Sequence, residues 1–267
     1  MIETYAEHYR ACQKEYRGDR SESLYSSAYD VTFDTNLLEL DEEYYELIDD
    51  ISAEIKQKIE SNDGCFEDEH AIRLNDWRNI DEIGWLADII MPQLEEKVFH
   101  SYLNVEFIHP YRNKTVESDP INSWLWHYDD CPREFLKLMI NLNDVKKDNG
   151  CMQYIRSSDE RVTTIESSRV GPRNSVKKVY DKSRIPMSVI DNKLASGAQI
   201  CDFVGKKGSY ALFTPNIMHR ATVPSAETVA RDVITFFIRP SMRQKNDYVI
   251  GANSYKPERD VKAYVLN

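Results

Sequence analysis

The chain has 267 residues, 41% of them hydrophobic and 30% charged, which allows one large domain or two small ones and excludes a disordered composition. A formal charge of −11 argues against nucleic acid or an anionic membrane as the main partner, and no apolar run approaches the roughly 18–20 residues of a membrane span. The start MIETYAEHYRACQKEYRGDR is too polar for a secretory h-region. The five cysteines (Cys12, Cys65, Cys131, Cys151, Cys201) form no C-x-x-C pair, so a cytoplasmic, reducing setting is expected.

The first hundred residues read mainly as helices. A short strand is expected near Tyr29 to Phe33. In LDEEYYELIDDISAEIKQKIES, Tyr44, Leu47, Ile48, Ile51, Ile55 and Ile59 recur at three- and four-residue steps, the pattern of an amphipathic helix. Asp41 and Glu42 suit its start, and Asn62-Asp63-Gly64 ends it. A second helix fits IDEIGWLADIIMPQLEEKVFHSYL, with Ile83, Leu86, Ile89, Ile90 and Leu94 on one side, and Pro92 should bend or divide it.

Beyond residue 100 the runs shorten and become rich in β-branched and aromatic residues: 103–108, 135–142, 152–155, 209–214 and 233–238, separated by turns such as Asp148-Asn149-Gly150. The pattern predicts a helical layer packed on a small barrel. Residues 156–208 read as a long polar insertion. Between Arg156 and Arg184 it carries eight basic and four acidic residues, +4 locally, leaving −15 on the rest of the chain. Such a segment reads either as a lid that brings cations to an anionic substrate or as a solvated surface loop.

In WLWHYDDCP, residues 124–132, strand geometry would put His127 and Asp129 on one face and Trp124, Trp126 and Tyr128 on the other. One imidazole and one carboxylate are two of the three ligands of a facial triad, a weak signal alone. His8, His70 and His100 fall in the helical half, and His109 in a loop after a strand. His219, after the strand and turn GSYALFTPNIMH, is 90 residues past Asp129, so only a folded β-scaffold could unite them. Arg231 follows 12 residues later and opens RDVITFFIRP, where Arg231, Val233 and Thr235 share a face. An arginine there can grip a carboxylate bidentately.

The order H-x-D, distal His, then Arg resembles the Fe(II)- and 2-oxoglutarate-dependent dioxygenases. The local text is similar to their phytanoyl-CoA dioxygenase-like (PhyH-like) branch, which commonly shows W-H-x-D, a K-x-x-x-x-L strand and D-V-x-x-x-N-G. Here WLWHYDD, FLKLMINLNDVKKDNGCMQYI, GSYALFTPNIMHRA and RDVITFF stand in that order, over roughly residues 102–155 and 208–240. The resemblance implies a mainly β fold with α elements, a double-stranded β-helix (jelly-roll or cupin-like) core flanked by N-terminal helices. It implies one domain: a helical support layer at 1–100, the core at 101–245 with its 156–208 insertion, and a C-terminal segment at 246–267. His127, Asp129 and His219 would be the metal ligands and catalytic centre, holding Fe(II). Arg231 would bind the distal carboxylate of 2-oxoglutarate. The expected reaction consumes O2, releases succinate and CO2, and oxidises, most simply hydroxylates, a C–H bond of a small anionic molecule. Asp129 argues against a halogenase, whose relatives vacate that position.

Two departures stand out. The His219–Arg231 gap is about one residue longer than usual in this branch, so ATVPSAETVA should bulge. Ala221 stands where a small hydroxyl residue often follows the distal histidine, with Thr222 next to it. Arg220 competes with Arg231 but should point away from the cosubstrate. Lys137, on the face of Phe135, Met139 and Asn141, is either a 2-oxoglutarate contact or a solvated lysine. Tyr102, Asn104 and Glu106 either reach the pocket or form an ordinary polar face. Both tryptophans read as core, Asp130 as a turn or supporting residue, Cys131 and Cys151 as small buried groups, and Arg239 and Arg243 as surface groups. Two other readings use the same residues: a zinc hydrolase, and a non-catalytic ligand-binding barrel.

Overall fold

The structure is a computed structural model and describes residues 4–115, 119–172, 174–175, 178–225 and 229–254. In chain order the elements are α1 (Tyr5–Glu15), β1 (Phe33–Asp34), α2 (Glu42–Ser61), β2 (Cys65–Glu67), β3 (Ala71–Leu74), α3 (Asp81–Leu94) and β4 (Tyr102–Asn113). Next come β5 (Leu136–Asn141), β6 (Met152–Arg156), β7 (Arg169–Gly171), β8 (Asn174–Ser175) and α4 (Met187–Ala195). The last are β9 (Gln199–Phe203), β10 (Tyr210–Phe213), β11 (His219–Ala221) and β12 (Asp232–Ser241).

The first long helix follows its sequence signals. The Asp41 side chain caps α2 by accepting from the Tyr44 N–H, and Asn62 closes it in the left-handed conformation. Tyr44, Leu47, Ile48, Ile51, Ile55 and Ile59 are all buried. Each contributes roughly 1.5–3 kcal/mol by leaving water. In α3 the helix runs through Pro92 to Leu94 and then widens into a π turn at Glu95–Phe99, so the change of winding comes just after the proline. Near Tyr29 a 3-10 turn (Ala28–Asp30) replaces most of the expected strand, which is limited to Phe33 and Asp34. The helical half also holds the β2–β3 hairpin, which extends the large sheet beyond β4.

Among the described residues the large sheet has the order β1-β10-β5-β12-β4-β3-β2 and the small one β11-β6-β9. Side chains alternate across the large sheet. Leu136, Leu138, Ile140, Ile234, Phe236 and Ile238 face α2 and α3 in the main core. Met139, Ala211, Phe213 and Val233 face the other way, against Met152, Phe203 and Ile217 of the small-sheet side. Two antiparallel sheets face to face, with helices on the outside of one, make the double-stranded β-helix that the resemblance implied.

The β4 strand runs further than the reading of 103–108. It continues through Pro110 to Asn113 and carries His109 in its middle, not in a loop. The proline does no harm because of where its missing N–H would point. Ile108 N donates to Asn253 O and Asn113 N to Arg231 O, so even-numbered amides here point away from β12. Pairing with β3 starts only at Tyr111, which leaves that side open at Pro110.

The 156–208 segment is no free loop. It contributes β9 to the small sheet and includes α4, and its residues 183–185 run antiparallel to the stretch around His127. Arg173 and Lys177 of its basic run lie outside the described residues, as do residues 226–228 of the expected bulge and 255–267 of the C-terminal segment.

Candidate functional site

His127 is held by backbone. Its N–H donates to His219 O and its carbonyl accepts from His219 N–H, both at 2.9 Å, a reciprocal antiparallel pair. Directly opposed residues send their side chains to one face, so both imidazoles point into the cleft between the sheets. Their ring centroids are 4.2 Å apart. The stretch entering His127 is a 3-10 turn at Asn122–Trp124 followed by isolated bridges, not a continuous strand. Alternation still holds over 126–129: Trp126 and Tyr128 sink into an apolar cluster with Ile155, Ile185, Ile190 and Met218. The nearby Trp124 is buried as well.

Asp129 completes the set. Its carboxylate oxygens lie 4.0 Å from His127 Nε2 and 3.6 Å from His219 Nε2. One ligand atom from each of the three residues falls within 4.8 Å of the others. Each Nδ1 sits against a backbone carbonyl, His127 on Leu125 O at 2.8 Å and His219 on Ile217 O at 2.9 Å. A carbonyl can only accept, so each Nδ1 carries the proton and each Nε2 presents its lone pair to the cleft. Burial, with the neighbouring His219, holds the His127 imidazole well below its ordinary pKa, and burial lowers His219 to about 4 against the pull of Asp129. Burial alone would raise the Asp129 carboxyl. Lys137 and the flanking imidazoles overcome it and hold the group well below the usual carboxylate range. Two neutral imidazoles and one carboxylate, all deprotonated at their ligating atoms, suit a divalent metal of the iron type.

Lys137 faces inward. Its Nζ donates to Asp129 Oδ2 at 2.7 Å and lies over the Phe213 and Phe237 rings. Arg231, just ahead of β12, is 2% exposed. Its backbone is fixed on both sides, donating to Asn149 O and accepting from Asn113 N–H. The anchoring turn depends on Gly150 (φ +92°), where a Cβ would meet Asn113 Nδ2 at 2.7 Å. Among the described residues the guanidinium meets only Tyr111 Oη at 3.4 Å and Met139 Sδ at 3.8 Å, and its Nε has no partner. Thr235 Oγ1, four residues on along the same face, is also buried without a partner among the described residues. A buried cation with no carboxylate costs several kcal/mol. Here it lines a cavity of about 490 Å³ together with the three candidate ligands.

Other expectations resolve differently. Thr222 Oγ1 turns away to Cys151 O, so it does not supply the hydroxyl missing at Ala221; Thr235 puts a hydroxyl residue in the cavity wall instead. Arg220 reaches the cavity, but its guanidinium binds Gln153 Oε1 and lies over Trp126. Tyr102, Asn104 and Glu106 stay out of the cavity. A register shift opposite Phe237/Ile238 interrupts β4 there, Tyr102 packs on Tyr16, and Glu106 pairs with Arg239 at 2.8 Å. That pair makes Arg239 a buried group, not a surface one. Asp130 is a tie: its carboxylate accepts from Ser168 N–H and Oγ–H and pairs with Arg169 at 3.4 Å. Cys131 and Cys151 are buried, and none of the five cysteines forms a disulfide.

Several lining groups lie beyond the residues expected from the sequence. His109 and Tyr111 come from the extended part of β4, and Asp68, His70 and Arg73 from the β2–β3 hairpin. Arg184 arrives from the basic segment. Continued alternation past Pro110 was the available signal for His109 and Tyr111. Nothing in the local sequence marked the hairpin.

The sequence profile of the phytanoyl-CoA dioxygenase (PhyH) family matches residues 113–224, the segment that holds His127, Asp129 and His219. No curated protein sequence matches the chain significantly. Solved structures with a similar fold include the epimerase SnoN in complex with Fe3+, alpha ketoglutarate and nogalamycin RO, at 13% identity and a TM-score of 0.51 over 86% of this chain and 83% of that one. Another is EctD from S. alaskensis with bound Fe, at 13% identity and a TM-score of 0.52 over 83% of this chain and 78% of that one. At such identity the likeness is one of fold. Among the described residues no helix is long and apolar enough to cross a membrane.

Proposed function

We propose that the chain is a PhyH-like enzyme of the Fe(II)/2-oxoglutarate oxygenase class, and that it hydroxylates a C–H bond of a small anionic molecule with release of succinate and CO2; the PhyH profile match over residues 113–224 supports the reading. In this reading His127, Asp129 and His219 hold Fe(II), and Arg231 takes the distal carboxylate of 2-oxoglutarate. The observation that carries it is the buried guanidinium of Arg231, without a carboxylate partner among the described residues, in the same cavity as a two-histidine, one-aspartate set.

When bound, iron with 2-oxoglutarate and O2 supplies an oxidant able to remove hydrogen from a C–H bond. The chain's own residues do the rest. Arg231 orients the cosubstrate by a forked contact, with Tyr111 and Thr235 beside it as hydroxyl partners. Lys137 holds Asp129 in its charged form and lines the same cavity, where it would share the cosubstrate's negative charge. Met139, Met152, Phe213 and Phe237 exclude water from the wall, which strengthens each of these polar contacts. A zinc hydrolase has no use for Arg231, and a non-catalytic barrel has no reason to keep it buried and bare.

Three further parts of this reading rest on the same sequence. The chain acts as one domain with the boundaries given above, the substrate is anionic, and the disulfide-free cysteines fit a cytoplasmic protein.

The test is an anaerobic titration of purified protein with Fe(II) and 2-oxoglutarate. A weak visible charge-transfer band should appear in wild type, vanish in His219→Ala, and demand far more 2-oxoglutarate in Arg231→Ala. A wild type without the band, and without succinate in air, rules the reading out.

A further inference from the structure

One cation in the cavity has no task in the mechanism above. Arg184 stands opposite His127 in an antiparallel bridge, on the side away from His219. Ile185 N–H donates to Trp126 O at 2.8 Å and Tyr128 N–H to Ser183 O at 3.2 Å, which locks the register. Residues facing each other across such a bridge share a face, with Cβ atoms about 4.5–5.5 Å apart. Ile185 joins Trp126 and Tyr128 in the apolar cluster on the other face. Arg184, His127 and His219 therefore form a row across three strands, all entering one cavity.

The guanidinium is half-buried, and among the described residues it makes no hydrogen bond or ion pair. The acidic groups of the lining are engaged elsewhere. Asp129 is bonded by Lys137 and Asp68 by Arg73, while Glu69 is exposed at the rim against Asn122. Arg220, the other arginine on this side, is bound to Gln153. Arg231 belongs to a different wall, beside Tyr111 and Met139 of the large sheet. The cavity thus has two uncommitted guanidinium forks on separate walls, with the candidate ligands adjoining both.

We propose that Arg184 is the substrate's anion receptor: it binds a carboxylate or phosphate group of the molecule to be oxidised, one strand-spacing from the His127 ligand. The short spacing limits the substrate class. The oxidised carbon lies within a few bonds of the anionic group, as in a small acid or phosphate ester, and not at the far end of a long chain with a distant charged head. This inference rests on the oxygenase reading for which group is the cosubstrate, but not for the existence of the anion site.

The experiment uses full-length protein loaded anaerobically with Fe(II) and 2-oxoglutarate. The probes are acetate, benzoate, inorganic phosphate and phenyl phosphate, with acetamide and benzamide as neutral counterparts. Binding is read as a saturable rise in unfolding midpoint and a perturbation of the charge-transfer band. At least one anion should bind, its neutral counterpart should not, and Arg184→Met should weaken it at least tenfold while leaving 2-oxoglutarate affinity within about twofold. Arg184→Lys should recover part of the loss, and it also serves if the methionine variant folds poorly. The proposal fails if no probe anion binds, if the variants bind it as wild type does, or if 2-oxoglutarate affinity falls in parallel. Absence of the band in wild type would instead overturn the oxygenase reading, and the anion titrations on metal-free protein would still judge Arg184.

Discussion

Lys137 Nζ donates to Asp129 Oδ2 at 2.7 Å, so the carboxylate of the candidate metal set already has a cation beside it. The pair is partly exposed, 15% and 28% by side chain, so breaking it costs less than a fully buried pair would. Lys137→Met should destabilise metal-free protein by about 1–3 kcal/mol. Added Fe(II) or Zn(II) should remove much of that loss, because the metal replaces the missing positive charge. Chemical denaturation with and without metal measures both. An equal loss in the two states would mean that Lys137 does something other than balance Asp129.

Arg231 predicts the reverse of an ordinary core residue. Its guanidinium is buried without a carboxylate, so Arg231→Met should leave stability unchanged or raise it, while 2-oxoglutarate affinity falls about a hundredfold, on the order of 3 kcal/mol. Thr235→Val, which deletes an unpartnered hydroxyl, should likewise spare the unfolding midpoint and weaken 2-oxoglutarate by a smaller factor. A large drop in midpoint for either variant would make the residue structural.

The buried imidazoles give the metal-free protein an acid-side weakness. Burial lowers His109 to about 3 and His219 to about 4 from an ordinary 6.5. Between those values and 6.5 the unfolded chain binds protons that the folded chain refuses, so stability present above pH 6.5 is lost as pH falls toward 4. Metal-free protein should therefore unfold more readily at pH 5 than at pH 7.5. Excess Zn(II) at pH 5 should restore part of the difference, and His109→Gln should reduce it. A flat profile of midpoint against pH from 7.5 to 5 would contradict this.

Glu95 has the opposite sign. Burial raises its carboxyl to about 7 even though it accepts from Leu103 N–H at 2.8 Å. The folded chain then holds a proton between 4.5 and 7 that the unfolded chain has released, so its contribution to stability is present below 4.5 and lost as pH rises through 7. Glu95→Gln keeps an acceptor for Leu103 without the charge. It should stabilise the protein by about 1–3 kcal/mol at pH 8 and make little difference at pH 4.5. The test is paired melts at the two pH values. Equal shifts at both would remove the electrostatic explanation.

Much of this molecule was legible because the relevant signals are local. The α2 face is periodic and its ends are marked by Asp41 and Asn62. Residues 135–142 and 233–238 are short, mostly apolar runs because each strand has helices on one face and the cavity side on the other. Asp129, His219 and Arg231 were reachable because the order of the motifs survives in the chain. What was not legible depends on contacts between distant segments. The strand was read only to Ile108, with His109 in a loop, and only the position of β3 shows that the missing amide of Pro110 is harmless. The β2–β3 hairpin has three and four residues per strand, too short to stand out beside two long helices. Arg184 was one charge among eight in a basic run, and only its bridge to His127 separates it from the rest.

The reciprocal backbone pair of His127 and His219 also bears on the spacing to Arg231. Arg231 is fastened independently, to Asn149 and Asn113, so no geometric demand passes along the chain between the second histidine and the arginine. The length of the connection can therefore differ by a residue or more while both ends stay in place. Register at the histidine pair has no such tolerance, because a slip of one residue would turn an imidazole to the wrong side of the sheet. Thr222 N–H and Ser225 N–H are tied to Cys151 O and Asp148 O, so insertions after Ser225 should be far better tolerated than any between Trp126 and Asp129. Relatives of this chain are better sought by the tight H-x-D unit than by a fixed distance from histidine to arginine.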